Sequence, residues 1–365
     1  MTFSDTMMLI KCMDGHVDCI SKIVCNEYNN DVFYSSSLDG KIKFWCLQNE
    51  SCLKTIDAYT TSIKELLVYS NGKFLVSCSD NNELKLWENE YLSNKCLNSK
   101  KINFNVSSID HGSISSTLAA GGKELLLVEK FSLKTLRMIK NKNSEITKLK
   151  FNPVEYNILL SAFSTKKIKL FDTRLKFYSN ILNIGIKITD LCWIQNRPFE
   201  FLFSGGDCKI YLFDIRNTRT FKQYYEGHTN TVQSISYEKR SNTIASACLD
   251  NCLGLFNKNF PSKYNLLHLE NMGRINSISF FNSGEYFVTG GEDSKIRIWK
   301  NPYFNSKIYK FVNNDNRKNI YNNLSVFFFF KPKNTPKYVK RKIKFNKMLL
   351  SKIKTKDKNN KYFFY

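Results

Sequence analysis

A short pattern that recurs at nearly constant intervals is the feature that most constrains the fold of this chain. Its first copy, Ser-Ser-Ser-Leu-Asp-Gly-Lys-Ile-Lys-Phe-Trp over residues 35–45, is typical of a strand, a tight Asp-Gly turn and a second, alternating strand. Six further copies follow, and each copy has a large apolar residue at one position: Trp45, Trp87, Val128, Phe171, Phe213, Phe256 and Trp299. The intervals are 42, 41, 43, 42, 43 and 43 residues, which indicates one structural unit repeated seven times.

A unit of about 42 residues with four short strands is a blade of a β-propeller, and this one resembles the WD repeat. The sequence therefore predicts an all-β fold, a seven-bladed WD-repeat β-propeller with a short basic C-terminal extension. We expect the propeller over residues 1–311 and the extension over residues 312–365. Seven blades of this size form one folding unit of about 300 residues, which is large enough to bury a sizeable core.

Two segments compete to complete the last blade and so to close the ring. Residues 7–13 look like a lone strand ahead of the first repeat, and a strand in this position usually closes a WD-repeat ring. Residues 306–311 also alternate and are the second alternative, and the two segments could pair side by side. We expect the N-terminal strand to take this position.

The composition gives no indication of a catalytic, cofactor or metal site. The 11 cysteines form no Cys-x-x-Cys pair and lie near no set of histidines, and the whole chain has only 4 histidines. Scattered thiols of this kind fit a reducing compartment. There is no Gly-rich phosphate loop and no visible signal peptide, and the longest apolar run, residues 326–330, is too short to span a bilayer. The sequence predicts a protein that is not an enzyme and does not bind a membrane.

The first repeat carries the only full set of polar residues: His16, Ser35, Asp39 and Trp45. In WD-repeat proteins such residues form a hydrogen-bonded chain from the indole through the hydroxyl and the imidazole to the carboxylate, and the resemblance implies the same structural role here. A His-Asp-Ser set also suggests a catalytic triad. We favour the structural role, because the same spacing recurs in degraded form in other repeats and a nucleophile is not expected in a packed strand.

Positive charge is the strongest functional indication in the composition. The chain has a net charge of +23, and residues 312–365 hold 15 Lys and Arg against two Asp, or +13. A basic excess favours polyanionic partners, and lysines interleaved with aromatic residues suit an RNA backbone with occasional base stacking. The sequence predicts that the tail contacts RNA or assembly partners through Lys337, Tyr338, Lys340, Arg341, Lys342 and Lys344. A solvated basic tail is the alternative.

Three features narrow the type of propeller. Residues 150–155 read Lys-Phe-Asn-Pro-Val-Glu, two consecutive repeats end in Asp-x-Arg at Arg174 and Arg216, and residues 336–343 read Pro-Lys-Tyr-Val-Lys-Arg-Lys-Ile. In this order they resemble the suppressor-of-fibrillarin (Sof-type) WD-repeat proteins, although the tail matches the family's Pro-His-Ile-Lys-Arg-Ile core only approximately. The chain also lacks the segment that the family has before the first blade.

The resemblance implies a non-enzymatic scaffold of ribosome biogenesis in the nucleolus. Its partners would be proteins of the small-subunit processome, a box C/D small nucleolar ribonucleoprotein and the rRNA precursor. The protein would be present as a monomer in this large complex. The rival interpretation is a substrate receptor of a cullin–RING ubiquitin ligase, in which Arg174 and Arg216 hold the adaptor. A third possibility is that each arginine only pairs with its neighbouring aspartate.

Overall fold

A computed structural model describes residues 8–304, except 27–30, 50, 71, 90–94, 114, 142–143, 176–177, 196, 219 and 269–271. The described part consists of seven four-stranded antiparallel sheets, and it confirms the predicted seven-bladed all-β propeller. The first strand, β1 (Met8–Met13), belongs to the last blade. The first four blades comprise β2 (Ile20–Cys25), β3 (Val32–Ser37), β4 (Lys41–Cys46), β5 (Ser51–Asp57), β6 (Ile63–Tyr69), β7 (Phe74–Ser79), β8 (Glu83–Glu88), β9 (Cys96–Lys101), β10 (Ser108–His111), β11 (Thr117–Gly121), β12 (Glu124–Glu129), β13 (Thr135–Lys140), β14 (Ile146–Phe151), β15 (Ile158–Phe163), β16 (Lys167–Asp172) and β17 (Tyr178–Asn183).

The remaining three blades comprise β18 (Ile188–Trp193), β19 (Glu200–Gly205), β20 (Ile210–Asp214), β21 (Gln223–Tyr225), β22 (Val232–Glu238), β23 (Thr243–Cys248), β24 (Cys252–Asn257), β25 (Phe260–His268), β26 (Ile275–Phe280), β27 (Tyr286–Gly291) and β28 (Ile296–Lys300). Each of the first six blades runs from an inner to an outer strand in chain order, so that blade 1 is β2-β3-β4-β5 and blade 6 is β22-β23-β24-β25.

The last blade is completed by the N-terminal strand. Its order is β26-β27-β28-β1, and Met13 of β1 lies opposite Ile296 of β28. A strand from the start of the chain thus joins the last blade to the first and removes an open sheet edge. Residues 306–311, the second alternative, lie outside the described residues.

Apolar side chains pack between neighbouring blades. Seven buried clusters form, one at each blade-to-blade interface; the one between blades 7 and 1 contains Met13, Phe33, Trp45 and Phe281. The seven repeat-defining residues all lie on the third strand of their blade, and all are buried. Each faces an apolar residue of the second strand, for example Phe33 opposite Trp45 and Phe287 opposite Trp299.

The turns between second and third strands lie on one side of the ring, which we call the upper face. Gly40 in the first turn has φ of 75°, and a Cβ on it would lie 2.2 Å from the carbonyl oxygen of Tyr59, so only glycine fits there. Five other blades have a non-glycine residue with φ between 61° and 69° at the corresponding position: Asn82, Lys166, Cys208, Asn251 and Ser294. These turns therefore share one left-handed geometry although their sequences differ.

The chain divides into two units, Met1–Asn305 and Ser306–Tyr365. The propeller belongs to the first unit, and the predicted boundary after residue 311 lies outside the described residues. Among the described residues, no helix qualifies as a candidate membrane span.

Candidate functional site

The four polar residues of blade 1 form one hydrogen-bonded chain. His16 Nδ1 donates to Asp39 Oδ2 at 2.9 Å, and because a carboxylate only accepts, this bond places the ring proton on Nδ1. The Ser35 hydroxyl then donates to His16 Nε2 at 2.7 Å, and the Trp45 indole donates to Ser35 Oγ at 2.8 Å. Ser35 is fully buried, so its hydroxyl is held between two ring nitrogens with no approach for a substrate. This geometry favours the structural role over the triad.

The environment keeps Asp39 ionised. Burial by itself raises the pKa of this carboxyl, but hydrogen bonds from His16 and from the backbone N–H groups of Lys41 and Val17 outweigh it. The result is a pKa lowered to about 2. The charged Asp39 therefore fixes both the tautomer and the orientation of the imidazole.

Other blades keep parts of this chain with different residues. In blade 2 the Tyr59 hydroxyl lies 3.1 Å from Ser77 Oγ, which also accepts from the Trp87 indole at 2.9 Å, so a phenol replaces the imidazole. In blade 7 the Trp299 indole donates to Thr289 Oγ1 at 2.9 Å. The role of Tyr59 was not predicted from the sequence, although a tyrosine at the histidine position of a repeat that keeps Ser77 and Trp87 is a signal for it.

Blade 6 contains a group with the spacing of metal ligands. His228, Cys248 and Asp250 bring ligand atoms within 4.8 Å of one another. Each atom already has a partner: His228 Nδ1 and the backbone N–H of Thr229 bond Asp250, and the Cys248 thiol donates to backbone carbonyls. Burial also raises the pKa of Cys248 to about 12, which opposes the thiolate that a metal needs. The group is the blade 6 counterpart of the His16 chain.

The inner strands surround a central channel with a cavity of about 280 Å³. The side chains of Lys22 and Lys148 both pair with Glu65, which joins blades 1, 2 and 4 across the channel. Burial raises the pKa of Glu65, but the two ammonium groups outweigh it and the net shift is downward. Lys150 pairs with Asp110 at 3.1 Å, and Asp190 accepts from the backbone N–H of Ile235 at 2.9 Å. These charged groups of the channel are thus held in ion pairs or, for Asp190, in hydrogen bonds to the next inner strand, and they link the inner strands.

Arg174 and Arg216 lie in equivalent turns of blades 4 and 5 on the face opposite the Asp39 turn, which we call the lower face. Arg174 Nη2 lies 2.8 Å from Asp172, and Arg216 Nη2 lies 2.7 Å from Asp214, so each arginine does pair with its neighbouring aspartate. Both side chains nevertheless remain exposed, at 70% and 65%. The guanidinium of Arg216 also lies 4.8 Å from the ring centre of Phe199. The ion pairs therefore orient both arginines without covering them.

The two arginine turns belong to one continuous surface. The side-chain amide of Asn152 in the first loop of blade 4 donates to the carbonyl of Pro198 in the matching loop of blade 5 at 2.7 Å. Three apolar side chains on these loops are about half exposed: Val154, Leu175 and Phe199. Apolar side chains beside oriented arginines are a composition typical of protein interfaces. The predicted tail contacts, Lys337, Tyr338, Lys340, Arg341, Lys342 and Lys344, lie outside the described residues and stay predictions.

Comparison with known proteins agrees with this architecture. The family model described as "WD domain, G-beta repeat" matches residues 7–46, 50–88, 219–257 and 265–300. These segments end at or just after Trp45, Trp87, Phe256 and Trp299, so the match covers four of the seven repeats. The three unmatched blades have the same four-stranded form but lack the His-Asp pair of blades 1 and 6.

Several curated proteins are similar to most of the chain. Protein SOF1 of Saccharomyces cerevisiae is 22% identical over 95% of this chain and 78% of its own length. DDB1- and CUL4-associated factor 13 is 27% identical in Dictyostelium discoideum and 21% in Homo sapiens, over 80% and 79% of this chain and 66% of each relative. The chain is therefore a seven-bladed β-propeller in which four blades match the WD-repeat model, and it resembles SOF1 and the DDB1- and CUL4-associated factor 13 proteins.

Proposed function

We propose that this protein is a non-enzymatic scaffold of the small-subunit processome. It would work in the nucleolus, bind processome proteins and a box C/D small nucleolar ribonucleoprotein, and be needed to process the small-subunit rRNA precursor. The supporting observation is the extent of the similarity to SOF1. Residues 312–365 are more than a tenth of the chain, so a match over 95% of it includes part of the basic tail as well as the propeller.

The described geometry is compatible with a scaffold. The hydroxyl, imidazole and carboxylate groups of blade 1 are bonded to one another, and the charged groups of the channel are paired. What remains open to a partner is the surface of a ring with two faces, on which several proteins or an RNA strand can be bound at once. Such a ring binds its partners in a fixed arrangement without itself catalysing a reaction.

Depletion tests this proposal. Cells depleted of the protein should accumulate uncleaved small-subunit rRNA precursor while large-subunit rRNA stays near its normal level, as measured by hybridisation to precursor RNA. Re-expression of the wild-type chain should restore cleavage, and the precursor should co-purify with the tagged protein. Normal processing of the precursor after depletion would overturn the proposal.

Binding to a ubiquitin-ligase adaptor is the second candidate, favoured by the exposed Arg174 and Arg216 on adjacent blades. The name of the factor 13 relatives states association with DDB1 and CUL4. If this chain shares that association, the double variant Arg174→Ala/Arg216→Ala should recover less DDB1 in affinity purification. Arg240→Ala, which removes an exposed arginine from the lower face of blade 6, is the control. Equal recovery of DDB1 by both variants would show that Arg174 and Arg216 do not bind the adaptor and only pair with Asp172 and Asp214.

A further inference from the structure

Five exposed lysines lie together in the upper-face loops of blades 3, 4 and 5. Lys123 lies in the turn between β11 and β12, and Lys140 ends β13. Lys166 ends the matching turn of blade 4, Lys167 begins β16, and Lys187 directly precedes β18 of blade 5. We call these residues the three-blade lysine surface.

Backbone hydrogen bonds hold these loops side by side. The carbonyl of Gly122 accepts from the N–H of Ile146 at 2.8 Å, which links the turn of blade 3 to the start of blade 4. The carbonyl of Lys166 accepts from the N–H of Gly185 at 3.2 Å. The carbonyl of Lys187 then accepts from Gly206 at 2.8 Å, which extends the connection into blade 5. The lysines are therefore carried by one fixed rim.

Five cations in other upper-face loops are paired with carboxylates, one of them, Lys209, in blade 5, whereas Lys295 in the turn of blade 7 makes no ion pair within the described part of the chain. The pairs are Lys41 with Asp57 at 3.4 Å, Lys64 with Asp80 at 2.6 Å, Lys101 with Glu83 at 3.5 Å, Lys209 with Glu226 at 2.5 Å, and Arg274 with Glu292 at 3.8 Å. By contrast, within the described part of the chain none of the five surface lysines makes an ion pair. Against Glu124, Glu145 and Asp207 of these and the adjoining upper-face loops, the five lysines leave a net charge of +2.

The chemistry of the surface indicates the type of partner. None of the exposed large apolar residues of the described chain belongs to the loops that carry these lysines. Protein interfaces are enriched in aromatic residues, Met and Arg and are depleted of Lys, which argues against an acidic protein. Lysine is a flexible point charge that suits sequence-independent contacts with phosphates.

We propose that the three-blade lysine surface binds the phosphate backbone of RNA, so that the propeller itself contacts RNA independently of the basic tail. This inference rests on the proposed function, because the rRNA precursor is the polyanion that a processome scaffold meets. It adds a site to that proposal: the ring would have an RNA-binding side on the upper face of blades 3–5. The lower face with Arg174 and Arg216 would stay free for proteins.

The test compares two triple variants of the full chain. Lys123→Glu/Lys167→Glu/Lys187→Glu reverses three charges of the surface. The control, Lys73→Glu/Lys95→Glu/Lys134→Glu, makes the same charge change at exposed lysines in lower-face loops of blades 2 and 3. Both are made in a background in which Lys340, Arg341, Lys342 and Lys344 are alanine, so that the tail contributes less. Binding to an oligouridylate of about 20 nucleotides is measured over a range of salt concentrations.

The surface variant should bind the RNA at least about tenfold more weakly than its parent. Its slope of log affinity against log salt concentration should be shallower by about 2, because each of the three lost phosphate contacts on a single strand releases about 0.7 counterion. The control variant should lie near its parent. Ultraviolet crosslinking of the parent to the same RNA should mark peptides that contain Lys123, Lys167 and Lys187. Equal losses of affinity in the surface and control variants, or unchanged RNA affinity in both, would overturn the inference.

These outcomes are separable from the proposed function. A chain that binds RNA through the lysine surface but is absent from precursor particles would overturn only the processome proposal. A surface variant with normal RNA affinity that still enters particles and restores precursor cleavage would overturn only the inference drawn here.

Discussion

At the scale of single residues, the blades tolerate the loss of polar side chains as long as no buried group is left without a partner. Blade 1 keeps all four members of its chain, whereas blade 6 has Phe256 in place of the tryptophan and a glycine, Gly254, beside Ser246 and His228. In blade 2 the Tyr59 hydroxyl bonds Ser77 directly. A buried donor or acceptor costs free energy chiefly when it stays in place after its hydrogen-bond partner has been removed. Partners that disappear together therefore leave the blade stable.

The cost of removing one partner alone can be measured at Asp39. Replacing Asp39 with Ala leaves His16 buried without its acceptor, so the free energy of unfolding should fall by roughly 1–3 kcal/mol in chemical denaturation. Asn81→Ala is the matched control, because Asn81 lies at the equivalent position of blade 2, where Tyr59 replaces the histidine. Equal stability of the two variants, or loss of a chemical activity without loss of stability, would contradict the structural role.

The contribution of Asp39 should also depend on pH. The pKa of Asp39 is about 2 in the folded chain, below the value of about 3.9 expected in the unfolded chain. A carboxyl whose pKa is lower in the folded state stabilises the protein above the unfolded pKa, and this stabilisation is lost as the pH falls through the folded pKa. The stability gap between wild type and Asp39→Ala should therefore be constant above about pH 5 and narrow towards pH 2.

At the scale of elements, the position of every blade could be predicted from the sequence. Third-strand residues such as Trp45, Phe171 and Trp299 are large and apolar because they pack between blades, and this requirement repeats once per blade. The contacts that the sequence did not reveal join residues far apart in the chain. The backbone N–H of Ile23 donates to Ser277 Oγ, for example, and Glu65 meets Lys148 only after the ring closes. Spacing predicts the repeat, but not which polar side chains the ring brings together.

The closure of the ring by β1 leads to a prediction with a control on the same strand. Met13 is buried between blades 7 and 1, whereas Met8 is 65% exposed. Met13→Ala should lower the free energy of unfolding by roughly 2–5 kcal/mol, because it leaves a cavity, and Met8→Ala should change it by about 0.5 kcal/mol or less. Denaturation curves of the two variants measure the difference. Similar, small effects of both would mean that another segment, such as residues 306–311, closes the last blade in solution.

At the scale of the whole molecule, charge is divided between the propeller and the tail. Residues 312–365 carry +13 of the total +23, and the other +10 is spread over the first 311 residues. Much of the charge in the described propeller is paired, as at Glu200, whose carboxylate contacts Arg197, Lys222 and Lys258. Burial raises the pKa of Glu200, but these cations outweigh it and lower the pKa to about 2. Paired cations of this kind stabilise the ring and are not available to a polyanion.

The last prediction follows from the density of charge in the tail. If about 6–8 of its cations meet phosphates, RNA affinity of the full chain should fall by roughly 10³-fold or more between about 50 and 200 mM salt. Truncation after Phe311 removes +13 and no predicted blade strand, so the shortened chain should stay folded, bind RNA with a much shallower salt dependence and fail to join pre-ribosomal particles. The four substitutions Lys340→Ala, Arg341→Ala, Lys342→Ala and Lys344→Ala should weaken RNA binding without loss of thermal stability.

Sedimentation of tagged chains with pre-ribosomal particles decides between the tail and the ring. A truncated ring that enters particles at the wild-type level would show that the tail is only a solvated basic end and that the propeller faces carry the assembly function. In that case the three-blade lysine surface and the lower-face arginines must account for all of the binding. Combining their variants should then abolish association in the truncated and the full chain alike, because the tail contributes nothing, whereas either variant alone should only reduce it, because separate contacts contribute nearly additively to affinity.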